Sequence, residues 1–326
     1  MFLKNHEQLC FRGTEASGLV GSNGKDRQQL EIIKGHGLVR DVFVEQNICK
    51  LRGSNVIIGH NRYSTAGRKP CAINCVQPFV VYTAVGTIAI AHNGELVDAK
   101  KKREEVLHEG VGLSTDTDSE LIAQMVAKAI ALNYKNRNDV DWGDISKELA
   151  VTMAAINMSY SLLVMSYDRL YAIRDPYGNR PLCVGTIYET EGRFRIFFGQ
   201  STNNAIIAEM HGSPVAYCAA SESCALPSMA KINFEVGAGE IVEISCKGIR
   251  SVCQMKPNTS QAMCIFEYVY FARNDSIIEG QQVQSVREQC GRTLALESHV
   301  DADIVSNVPD SSIAAAIGYA AQVVII

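Results

Sequence analysis

The chain has 326 residues, 47% of them hydrophobic and 20% charged, the balance of a globular protein. A chain of this length can bury roughly three quarters of its unfolded surface, enough for one large domain and part of a second. A formal net charge of -4 offers no basic face for nucleic acid, so a small molecule is the expected partner.

The opening MFLKNHEQL interleaves charge with apolar residues and has no signal-peptide core. No later run is apolar and long enough to span a bilayer, and a cytosolic, membrane-free protein is expected. Eleven cysteines are scattered from Cys10 to Cys290 without a CxxC pair, the usage of a reducing compartment with free thiols. Cys71 and Cys75 stand four apart, but with no matching His or Cys pair they make a weak zinc pattern.

From about Leu38 to Ile244 short β-rich runs alternate with turn residues: Asn55 to Gly59, Gly86 to Ala91, Ser161 to Met165, Leu170 to Ile173 and Phe194 to Phe198. Such runs predict stacked antiparallel sheets. The clearest helix runs from Asp118 to about Asn133, with Leu121, Ile122, Met125, Val126, Ala129 and Ile130 on one stripe that should cover a sheet face. Thr117 followed three residues later by Glu120 reads as a capping box, which puts Asp118 in the first turn, where the helix dipole favours an anion.

After Glu243 the periodicity weakens. Lys256 to Gln261 reads as a polar linker before the apolar and aromatic run at Cys264 to Arg273, and a domain boundary is placed there, giving units 1–257 and 258–326. Beyond it come a helical segment at Ser285 to Ser298, a short strand at Ile304 to Val305 and the apolar run VVII, with no complete core-forming unit.

Four segments belong together: RGTEASG (Arg12 to Gly18), GHNRYSTAG (Gly59 to Gly67), HNGEL (His92 to Leu96) and TDTDSE (Thr115 to Glu120). In combination they resemble the class II glutamine amidotransferases. RDPYGNRPL (Arg174 to Leu182) and SESC (Ser221 to Cys224) match as well and are expected to shape turns and packing. CIFEYVYFARNDS (Cys264 to Ser276), VREQCGRTLALE (Val286 to Glu297) and DADIVSNVPDSS (Asp301 to Ser312) narrow the resemblance to the amidophosphoribosyltransferase family. That tail argues against asparagine synthetases and glucosamine-phosphate synthases, which share only the first four motifs.

The resemblance implies an α+β fold: a four-layer αββα N-terminal nucleophile sandwich, followed by the start of an α/β phosphoribosyltransferase domain. It implies that Arg62 grips the glutamine α-carboxylate, a task suited to a planar fork. Asp118 receives the α-ammonium, and Arg12 belongs to the supporting segment. At the turn after the strand Thr87 to Ala91, the Asn93 side-chain amide and the Gly94 N–H form an oxyanion hole. Read alone, Asn-Gly is the commonest tight hairpin turn, Arg62 a solvated strand-end arginine and Asp118 a dipole-favoured helix start.

The family reaction takes glutamine, phosphoribosyl diphosphate and water to 5-phosphoribosylamine, glutamate and diphosphate, the first committed step of purine synthesis. The resemblance implies Mg²⁺ at the diphosphate site, homo-oligomers and, in some members, a 4Fe-4S cluster for which Cys264 marks the first ligand; one thiolate holds no cluster, so Cys264 is expected as a buried free cysteine. Departures are expected too. Cys10 and Phe11 stand where the family has Gln and His before Arg12, and neither the family's Cys-Gly start nor its acidic phosphate-binding loop is written in the sequence. On that reading Cys10 is not a nucleophile, and the chain as written forms no phosphoribosylamine. A non-catalytic glutamine-binding or modulating relative is the alternative.

Overall fold

A computed structural model describes residues 15–62, 72–133, 141–156, 158–188, 213–256, 260–309 and 312–323. Strands β1 (Ala16–Ser22), β2 (Glu31–His36) and β3 (Val56–Arg62) form an antiparallel sheet in the order β2-β1-β3. The central β1 is buried along its whole length. A six-stranded antiparallel sheet contains β4 (Phe79–Thr83), β5 (Gly86–Leu96), β6 (Met158–Met165), β7 (Leu170–Arg174), β11 (Glu240–Ser245) and β12 (Gly248–Gln254), in the order β12-β11-β7-β6-β5-β4. Between them in sequence, β8 (Cys183–Tyr188), β9 (Pro214–Ala220) and β10 (Ala230–Glu235) make a third sheet, ordered β10-β8-β9.

The period-2 pattern of the large sheet decides the layering. On β5, Ile88 and Ile90 face one way and join Tyr160, Leu162, Val164, Tyr171, Ile173 and Ile241 in a core roofed by helices α4 (Asp118–Asn133) and α5 (Ser146–Ala154). Ala89 and Ala91 face the other way and meet Val20, Ile58, Leu182, Val184 and Val236. The opposite face of the small sheet is covered by Val39, Val42 and Phe43 of the short helices α1 (Val39–Val42) and α2 (Glu45–Ile48) and their junction. The result is the expected αββα sandwich, with one departure: the second β layer is split into two three-stranded sheets, where the sequence pattern suggested one.

Helix α4 starts at Asp118 and ends at Asn133, as its apolar stripe predicts, with Leu121, Ile122, Val126 and Ile130 fully buried. Burial of side chains this size contributes roughly 2 kcal/mol each before chain entropy is counted. Helix α3 (Ala99–His108) lies beside it; its Arg103 donates to the carbonyls of Thr115 (2.7 Å) and Thr117 (3.1 Å), fixing the loop into α4. The strand expected at Phe194 to Phe198 lies outside the described residues.

In the second unit the hairpin β13 (Ile277–Ile278) and β14 (Gln281–Gln282) precedes helices α6 (Val283–Glu297) and α7 (Ile313–Val323). α6 matches the expected helix within two residues, whereas α7, alanine-rich and almost wholly apolar, was not expected. The strand expected at Ile304 to Val305 does not form: among the described residues no neighbouring strand offers it a ladder, and Ile304 is exposed. Among the described residues no helix is long and apolar enough to cross a membrane.

Candidate active site

The edge of β5 next to β4 organises the site. An antiparallel ladder sends alternate backbone groups to opposite neighbours. The N–H groups of His92 and Leu96 bond away from β6, so by the alternation those of Ile90 and Gly94 point to the same edge. There Ile90 is partnered by Phe79 of β4. One step on, the Gln77 side chain stands in for the missing strand: its Oε1 accepts from the His92 N–H at 2.6 Å, and its Nε2 donates to the His92 carbonyl at 3.2 Å. At the far end the Leu96 N–H donates to Asp118 Oδ2 at 3.1 Å. The Gly94 N–H, between these two capped positions, faces the same edge beyond the end of β4.

Asn93 and Gly94 are therefore no hairpin turn, and they do not follow the strand as expected. They lie within β5, opposite Ser161 and Tyr160 of β6. The strand continues past Ala91 because β6 supplies a ladder as far as Leu96, which the sequence alone could not reveal. Glycine is required at 94 by close packing: a Cβ there would sit 2.0 Å from the Ser159 carbonyl oxygen and 2.9 Å from His92 Nε2. Asn93 shares the parity of Ala89 and Ala91 and so faces the inter-sheet layer.

Asp118 occupies the first turn of α4, where the dipole favours its charge. Half of the expected capping box forms, with the Glu120 N–H donating to Thr117 Oγ1 at 3.3 Å. The Glu120 carboxylate does not return to Thr117. It reaches further back and accepts from the N–H groups of Ser114 (2.7 Å) and Thr115 (2.6 Å) and from Thr115 Oγ1 (2.6 Å), three donors that the loop geometry places closer. The TDTDSE motif is thus a self-bonded loop that delivers Asp118 to the end of β5.

Beneath Asp118 lies His92, which sequence reasoning named only as part of its motif. Its ring is buried; Nδ1 is 3.1 Å from Ser119 Oγ and 3.8 Å from Asp118 Oδ1. Burial lowers the imidazole to about 4, with the Arg180 guanidinium adding to that effect and the Asp118 carboxylate opposing it. His92 is therefore neutral near pH 7. Among the described residues it is the ion-pair neighbour of Asp118, so the carboxylate is held by donors without being neutralised and remains a quarter exposed.

Arg62 ends β3 opposite Ala16, with the parity of Ile58, and so faces the same inter-sheet layer as Asn93. Its Nε donates to Glu15 Oε2 at 3.1 Å, and it is a third exposed. It is an anchored cation, not a freely solvated one. Arg12 and Cys10 lie outside the described residues. Among the described residues, the polar partners of Arg62, His92 and Asp118 include no cysteine.

The RDPYGNRPL and SESC segments form a platform for residues 262–276. The Cys264 N–H donates to the Asn179 carbonyl (3.2 Å) and the Ala262 N–H to that of Tyr177 (2.8 Å). Arg180 Nη1 donates to Glu267 Oε1 at 2.8 Å, with its guanidinium 5.2 Å from the Phe271 ring centre. Glu222 Oε2 accepts from the Arg273 N–H and Ser276 Oγ, each at 2.9 Å. Cys264 is a free thiol, as expected, but half-buried instead of fully buried, because it precedes exposed Ile265 and Phe266 and the turn of helix Glu267–Phe271, whose Tyr270 also faces out. Among the described residues no three His, Cys, Asp or Glu side chains converge to hold a metal, and Cys264 has no companion thiolates there for an iron-sulfur cluster.

A profile described as "Glutamine amidotransferase domain" matches residues 72–203. The chain is 44% identical over 318 residues to the amidophosphoribosyltransferase of Mus musculus, covering 96% of the chain and 58% of that protein. It is 45% identical over 317 residues to the one of Drosophila melanogaster, covering 96% and 55%. Among solved structures it is similar to the glutamine phosphoribosylpyrophosphate amidotransferase from B. subtilis complexed with ADP and GMP, with TM-score 0.77 and 31% identity over 99% of the chain and 61% of that protein. A structure described as the allosteric regulatory enzyme of purine biosynthesis gives TM-score 0.80 and 32% identity over 100% and 61%. The chain thus spans about three-fifths the length of the relatives it matches, 58% for the mouse protein.

Proposed function

From the premise that the chain is a homologue of the amidophosphoribosyltransferase family over 96% of its length, we propose that it forms the glutamine-handling part of such an enzyme. In that reaction the amide nitrogen of glutamine is released as ammonia and transferred to phosphoribosyl diphosphate. The products are 5-phosphoribosylamine, glutamate and diphosphate, the first committed step of purine synthesis.

The observation that carries the proposal is the pairing of an unneutralised, firmly held carboxylate at Asp118 with an outward-facing Gly94 amide two residues from its Leu96 anchor. A glutamine zwitterion needs an anion for its α-ammonium, a cation for its α-carboxylate and donors for the charge that develops on its amide oxygen. Asp118 supplies the first and Arg62, facing the same layer as Asn93, the second. The Asn93 side-chain amide and the Gly94 N–H supply the third, as preorganised dipoles in a partly water-excluded site. Arg12 is assigned to the support of this pocket.

The units 1–257 and 258–326 correspond on this reading to the glutaminase domain and to the first part of the phosphoribosyltransferase domain. A homo-oligomer is the proposed assembly. Mg²⁺ supplies charge neutralisation for the diphosphate in such enzymes, and a 4Fe-4S cluster would take Cys264 as one ligand. Among the described residues no ligand set for the cluster converges, and no step here passes through either group.

Calorimetric titration of the chain with L-glutamine tests the reading. Saturable binding is expected, weakened at least about tenfold in Asp118→Asn, the loss appropriate to one charge-assisted contact. Cys10→Ser should bind as the parent does. No heat of binding, or an unchanged Asp118→Asn, would contradict the assignment.

A further inference from the structure

We propose that His92 and Ser119 are positioning residues for the reaction: they orient the Asp118 carboxylate toward the ammonium group of its ligand without neutralising it. The proposal rests on the glutamine reading of Asp118 and deepens it.

The geometry is that of a relay. Ser119 Oγ lies 3.1 Å from His92 Nδ1 and donates to Asp118 Oδ1 at 3.4 Å, while Oδ2 is fixed by the Leu96 N–H at 3.1 Å. His92 Nε2 is buried and, among the described residues, has no hydrogen-bond partner. A single proton on the ring is better placed at Nδ1, beside an acceptor and a carboxylate, than at Nε2, for which the described residues offer no acceptor. With the proton on Nδ1, the imidazole donates to Ser119 and the serine hydroxyl is left to donate to Asp118.

The ring itself has little freedom to tilt. The Gln77 amide clamps its backbone on both sides, and the tight packing at Gly94 places the β5 backbone close over Nε2. The same histidine therefore braces the glycine whose amide faces the reacting end and the carboxylate that faces the ammonium end. A cation in its place, such as a protonated histidine or a lysine, would neutralise Asp118 and compete with the ligand. A neutral donor chain leaves the charge available, because hydrogen bonding orients a carboxylate without cancelling it.

The test measures binding of L-glutamine and of glutaramate, the same molecule without its α-amine, to the full chain by calorimetry. For His92→Gln and Ser119→Ala, glutamine affinity should fall about tenfold while glutaramate affinity stays within about twofold of the parent. His92→Asn, whose side-chain amide can place a donor near the Nδ1 position, and Ser119→Thr, which keeps the hydroxyl, should recover most of the loss. Equal losses for both ligands would show a merely structural role and overturn the proposal, as would unchanged glutamine affinity in both variants. If the parent chain binds neither ligand, the glutamine reading itself fails, an outcome distinct from the other two.

Discussion

Asp118 is charged, accepts hydrogen bonds from its surroundings and stays a quarter open to solvent. That combination depends on His92 remaining neutral beneath it, and neutrality has a thermodynamic signature. The imidazole titrates near 4 in the folded chain against an ordinary 6.5. Between these values the unfolded chain takes up a proton that the folded chain refuses. The stability associated with this group is therefore complete above about pH 6.5 and is lost as the pH falls toward 4, on the order of 3 kcal/mol in all. Urea unfolding of the parent and of His92→Gln at pH 7 and pH 4.5 should show the parent losing more stability than the variant. A variant with the same acid sensitivity as the parent would remove His92 as the source.

At the level of elements, the turn after β7 joins the site to the second unit. Asp175 is fully buried, and its carboxylate accepts from the backbone of Tyr160 (3.3 Å), Tyr177 (2.9 Å), Asn179 (3.0 Å) and Arg180 (3.4 Å), and from Asn179 Nδ2 (3.2 Å). Tyr160 is the residue opposite Gly94, while Asn179 and Arg180 hold Cys264 and Glu267. One side chain thus ties the strand opposite Gly94 to the segment that carries Cys264 and Glu267. Asp175→Ala leaves several buried donors unsatisfied at once and is expected to cost about 3 kcal/mol, read as a lower urea midpoint; a midpoint equal to the parent's would show that the turn holds without it. The pairing of α6 with α7 is likewise set by close backbone contact, since a Cβ on Gly291 or Gly318 would meet the facing helix's carbonyl oxygen at 1.9 Å.

Across the whole molecule, what could be read in advance follows from range. Helix α4 was legible to the residue because its apolar period, the dipole-suited Asp118 and the Thr117 cap are all local signals. The αββα layering came from the family resemblance together with many short strands. The extension of β5 through Asn93 and Gly94 was not legible, because it depends on pairing with β6 more than sixty residues away. Neither was Gln77, a lone glutamine whose role exists only once β4 stops short of His92. The splitting of the second β layer and the platform under Cys264 are tertiary facts of the same kind. Of the site residues named by motif, Asp118 stands in the first turn of its helix as read, whereas Asn93 and Gly94 lie inside β5 and not at a turn after it; the partners Glu15, Gln77 and Ser119 emerged only from the packing.

The central claim is that one glutamine spans Asp118, Arg62 and the Asn93–Gly94 edge of β5. The most direct measurement is a crystal structure of the chain soaked with L-glutamine. The account predicts the α-ammonium on Asp118, the α-carboxylate on Arg62 and the amide oxygen facing the Asn93 side chain and the Gly94 N–H. Glutamine bound elsewhere, or seated with its ammonium away from Asp118, would contradict it.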